Sequence, residues 1–114
     1  MLTIDALKEF GADTKEGLER CMGNEAFYIR LVKMIPGDAN FERFYQAIDE
    51  GDLDTAFEAA HALKGVVGNL SLTPLTAPVN EVTELLRSRT DMDYSSYAKQ
   101  IKEAHQKLIA LCQD

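Results

Sequence analysis

Positive charge is scarce in this chain. Twelve Lys and Arg stand against 19 Asp and Glu, a formal net charge of −7 over 114 residues. An acidic surface repels a phosphate backbone, and no basic run offsets that, so nucleic-acid binding is not expected. Cysteine is also sparse. Cys21 and Cys112 lie far apart, with neither CxxC nor metal-ligand spacing, and read as small apolar residues kept reduced in a cytosol. No apolar run approaches the roughly 20 residues that span a bilayer. The start, "MLTIDALKEF", lacks the basic and apolar blocks of a secretory signal. The expectation is a soluble, cytoplasmic protein with no membrane partner. Strand-like alternation, repeats, low-complexity segments and flexible linkers are likewise missing.

Helical periodicity is what is there. At 46% apolar and 27% charged residues the composition is that of a folded chain, and its length suits a single domain over 1–114. Two short helical pieces are predicted near 3–10 and 14–22, punctuated by Gly11 and Gly23. Asn24 caps a helix with an apolar stripe of Phe27, Tyr28, Leu31, Val32 and Ile35. "PGD" at 36–38 ends it, and Asp38 caps the next, which carries Phe41, Phe44, Tyr45 and Ile48. Gly51 stops that helix and Asp52 caps a long one, predicted from Leu53 to Leu72. Thr73 and Pro74 open another, with Pro78 blurring its start, and a last helix runs from Tyr94 to Cys112. Short connections make neighbours antiparallel. The predicted fold is therefore all-α, an up-down-up-down four-helix bundle over 24–114 with flanking helical segments over 1–23.

Within the long helix, "AAHALKGVVGNL" (59–70) breaks the pattern. Two glycines sit in a helix interior, where each costs about 1 kcal/mol relative to alanine. On a wheel at about 100° per residue, Phe57, Glu58, Lys64, Gly65, Gly68 and Leu72 fall within about 60° of His61. Ala56, Ala59, Leu63, Val66, Val67 and Leu70 fall beyond about 120°, on the core side. His61 therefore points to solvent. The apolar period continues past both glycines, so they are not helix stops, and they face away from the core, so they do not serve helix packing. "GVVGN" lacks the GxxxxGK[ST] pattern of a phosphate-binding loop. What remains is steric: two missing β-carbons let another macromolecule reach an exposed imidazole. Phe57 and Leu72, apolar on the same face, read as docking residues.

Imidazole is mostly neutral near pH 7 and nucleophilic. A phosphoryl group added to it brings a charge of about −1.5 to −2, and an ammonium one turn away, Lys64, can offset part of that. Alignment and charge neutralisation do most of the remaining work in phosphoryl transfer, and a docked partner can supply both. Glu58, at i−3, is placed to hold the other ring nitrogen.

"AHALKG" on such a helix resembles the H-x-x-K-G motif of the histidine-containing phosphotransfer (HPt) domains of multistep two-component phosphorelays. "GLERCMGNEAFYIRLV" (17–32) and "EGDLDTAFEAAHALKG" (50–65) resemble the stretches before and up to that motif. Where the family often has a further glycine about ten residues after the histidine, this chain has Ser71, a difference that bears on close packing there. The resemblance implies that His61 takes a phosphoryl group from the aspartate of one response-regulator receiver domain and passes it to another. Lys64 would stabilise the phosphohistidine and Gly65 would leave room for the receiver. The chain would be a phosphocarrier rather than an enzyme, monomeric and fed by a hybrid histidine kinase. It would bind no cofactor of its own, the Mg²⁺ used in transfer belonging to the receiver.

Three rival readings fit the sequence less well. The phosphoacceptor domain of a chemotaxis-type histidine kinase is fused to dimerisation and ATP-binding domains, for which 114 residues leave no room. The initiating methionine and the complete helix set favour a free-standing module. A non-catalytic receiver-binding module would not need His61 and Lys64. A metal-binding bundle would repeat E-x-x-H facing inward, whereas "EAAH" (58–61) occurs once and faces out. His105, at the edge of an apolar stripe, reads as structural.

Overall fold

Five helices of the protein start at a side chain that accepts a hydrogen bond from a backbone N–H of the first turn: Thr3, Asp13, Asn24, Asp38 and Asp52. The computed structural model describes residues 2–113, and the described residues contain seven helices and no strand. These are α1 (Ile4–Phe10), α2 (Thr14–Arg20), α3 (Glu25–Met34), α4 (Ala39–Glu50), α5 (Leu53–Asn69), α6 (Thr73–Arg87) and α7 (Ser95–Cys112). Gly51 ends α4 with φ 71°, the left-handed region that glycine enters without penalty. Pro74 sits in the first turn of α6, where a missing N–H is harmless, and the helix runs on through Pro78.

Four helices form a ring. α5 packs between α4 and α6, and α7 closes the ring against α6 and α4. Its core is built from Phe41 and Phe44 of α4, Ala56, Ala59, Leu63 and Val67 of α5, Leu75, Val79, Val82 and Leu86 of α6, and Ile101 and Leu108 of α7. Small alanines on the inner face of α5 let its neighbours approach closely. The molecule is thus an all-helical bundle.

The ring comprises α4 to α7. α3, assigned to the bundle from its stripe, lies outside it and joins α1 and α2 in a cap. Only Tyr28 and Val32 of α3 are buried, with Ile35 just beyond it, while Phe27 and Met34 stay exposed. The cap is pinned to the turn after α5. The Tyr28 hydroxyl donates to the Leu70 carbonyl at 2.8 Å, and the Asp13 N–H donates to the Ser71 carbonyl at 2.9 Å. Burial pushes the Tyr28 hydroxyl up to about 12.

Candidate functional site

On α5, Ala56, Ala59, Leu63 and Val67 are buried and His61 is exposed, so the imidazole stands on the solvent side. Phe57, one turn earlier, stacks on it with ring centroids 5.7 Å apart and planes 19° from parallel. Phe57 is itself half-buried, with the guanidinium groups of Arg87 and Arg89 at 5.1 and 5.4 Å from its ring centre. Arg89 is held by Asp54 at 2.7 Å and by the Leu86 carbonyl.

His61, Lys64, Gly65, Gly68 and Asn69 line an open cleft of about 440 Å³ together with Arg20 of α2 and Asn80 of α6. Gly65 and Gly68 have ordinary helical backbone, and a β-carbon added at either would meet nothing within 4 Å. Among the described residues nothing requires glycine at those positions. The floor beside the imidazole is bare.

The charges around the cleft are paired. The Lys64 ammonium lies 3.5 Å from Glu84, whose other oxygen accepts from Arg87 at 3.3 Å. Arg87, and less strongly Lys64, holds the Glu84 carboxyl below the usual carboxylate range. Arg20 pairs with Glu16 at 3.1 Å. All these side chains are substantially exposed, so each pair is weak and exchangeable. An exposed nucleophile, two nearby cations and a bare floor suit an anionic group delivered by a large partner.

The Hpt domain family model matches residues 37–111. The chain belongs to the Hpt domain family. The match spans the ring of α4 to α7 and leaves the cap outside it. No curated protein and no solved structure matches the chain. Membership carries a histidine phosphotransfer role in two-component signalling, and Hpt domains are phosphocarriers that work with receiver domains and kinases.

Two sequence expectations within this Hpt domain are corrected. Leu72 is not a docking residue: it is fully buried and caps α6. α5 stops at Asn69, and Ser71 turns the chain with φ 55°, so the wheel ceases to apply before residue 72. Glu58 does not hold the imidazole either; it faces α4 and takes Arg43 at 2.6 Å. Phe57 shares the face of His61 as expected, but it lies packed against the core under two arginines rather than free. Ser71, where the resemblance places a further glycine, is buried in a left-handed turn. Its left-handed φ is one that glycine adopts without strain, and its hydroxyl donates to Glu16 at 3.1 Å.

Other residues were missed. Arg20 and Asn80 reach the cleft from elements distant in sequence. Beside it, sharing Asn69, runs an apolar groove of about 350 Å³ lined by Leu31, Met34 and Ile35 with Val66 and Leu70. Met34 is 67% exposed, an apolar residue outside the core-facing set that signals a surface of this kind. His105 is structural. Its Nε2 donates to the Pro36 carbonyl and its Nδ1 pairs with the Tyr45 hydroxyl, both at 2.9 Å, while its ring stacks on Phe41 at 3.8 Å. Among the described residues no three His, Cys, Asp or Glu side chains cluster as metal ligands, and no helix is long and apolar enough to cross a membrane.

Proposed function

We propose that His61 is the phosphoacceptor of a multistep phosphorelay, taking a phosphoryl group from the aspartate of one receiver domain and giving it to another. The lone pair of a ring nitrogen attacks phosphorus. The new N–P bond forms as the acyl O–P bond breaks, and the receiver's aspartate leaves as a carboxylate. Lys64 exchanges Glu84 for a phosphoryl oxygen, a charge-assisted contact to a more highly charged partner. Gly65 and Gly68 admit the receiver's active site, which brings the Mg²⁺ for transfer. The receiver's apolar rim covers the neighbouring groove at Leu31, Met34 and Val66, continuous with the cleft through Asn69. In this reading the chain works as a cytoplasmic monomer downstream of a hybrid histidine kinase and makes no use of ATP or a resident metal.

The observation that supports this most is the conjunction of an exposed imidazole with two glycines whose β-carbon positions are empty. The test is incubation with a receiver carrying aspartyl phosphate. Label should move to this protein as an acid-labile, alkali-stable adduct. His61→Gln should abolish the transfer, and label on that variant at the normal rate would refute the assignment. Lys64→Ala should shorten the adduct lifetime about two- to fivefold, the scale of one exposed ion pair, with the fold intact by circular dichroism.

A further inference from the structure

We infer that Arg20 is the second cation of the phosphoryl site, reaching it from the helical cap that lies outside the family-matched stretch. The inference rests on His61 being the phosphoacceptor. Arg20 lines the same cleft as His61 and Lys64, but from α2, across the glycine floor. Its position is fixed by the packing of its helix. The Asp13 N–H donates to the Ser71 carbonyl at 2.9 Å, and Glu16, one turn before Arg20, accepts the Ser71 hydroxyl at 3.1 Å. Gly17 sits so close to the Tyr28 ring that an added β-carbon would lie 2.6 Å from it, and Tyr28 is tied to Leu70. The last turn of α2 is therefore held over the C-terminal end of α5.

In the unmodified protein the two cations are held alike, Arg20 by Glu16 at 3.1 Å and Lys64 by Glu84 at 3.5 Å. A phosphoryl group on His61 carries about −1.5 to −2 charge and outcompetes a single exposed carboxylate for each. Lysine offers a point charge. Arginine offers a planar fork that can take two phosphoryl oxygens together. Lining one cleft from two different helices, both can reach the group, and the dianionic form gains most from both. The cap thus supplies part of the site.

The test removes the receiver, so that docking plays no part. Full-length protein is phosphorylated with phosphoramidate, in which the donor's N–P bond breaks, ammonia leaves and the new N–P bond forms at the imidazole. The ³¹P resonance is then titrated and adduct decay timed. A cation near the dianion lowers its protonation pKa, so Arg20→Ala should raise that pKa and shorten the half-life about two- to fivefold. Arg20→Lys should restore most of both, which a packing role would not do, and Lys64→Ala serves as the positive control. An Arg20→Ala titration and decay that match the wild type, while Lys64→Ala moves both, would overturn the role of Arg20. Unchanged labelling of His61→Gln would instead overturn the reading of His61, whatever Arg20 does.

Discussion

Gly65 and Gly68 each give up about 1 kcal/mol of helix stability relative to alanine, yet neither has a positive φ or a close neighbour. Gly17 is the contrast. A β-carbon there would strike the Tyr28 ring at 2.6 Å, and that ring is held by its hydrogen bond to Leu70. Gly17→Ala should therefore destabilise the protein by about 1–3 kcal/mol, read as a lower denaturant midpoint at unchanged slope. One glycine is kept for the chain's own packing. At the other two the β-carbon position is open. The two histidines divide in the same way. His105 has both ring nitrogens partnered inside the protein, whereas His61 is exposed and stacks on Phe57.

At the scale of elements, caps decide where helices start. Asp52 accepts both the N–H and the hydroxyl of Thr55, and these bonds, the side-chain one first, hold its carboxyl below the usual range. A group whose folded-state pKa is depressed stabilises the fold above its unfolded value and loses that contribution as pH falls through the folded one. Asp52→Ala should thus lower the melting temperature at pH 7, and the gap to the wild type should close below about pH 4, which thermal scans across pH would follow. Because caps, glycines and prolines are local signals, the helix starts were legible in the sequence. The end of α5 was not. Val66, Val67 and Leu70 carry the apolar period to the turn, so nothing in the pattern announces that Ser71 reverses the backbone and sends Leu72 into the core. His61, Lys64, Gly65 and Gly68 could be read together because they share one helix. Arg20 and Asn80 could not, since their place at the cleft depends on how α2 and α6 dock on α5.

Across the whole molecule, a net charge of −7 coexists with a cluster of Arg20, Lys64, Arg87 and Arg89 around one imidazole and its aromatic backing. α5 is packed between α4 and α6, and the cap contributes residues to the cleft and to the apolar groove. Gly65→Ala combined with Gly68→Ala should stabilise the fold by up to about 2 kcal/mol, because both side chains enter open space on a helix. The decisive measurement is the rate at which a phosphorylated receiver transfers its phosphate to this double variant at saturating receiver concentration. A rate about tenfold or more below the wild type, in a protein that melts higher, is the predicted result. Transfer at the wild-type rate would contradict the claim that these positions are bare so that a partner's active site can reach His61.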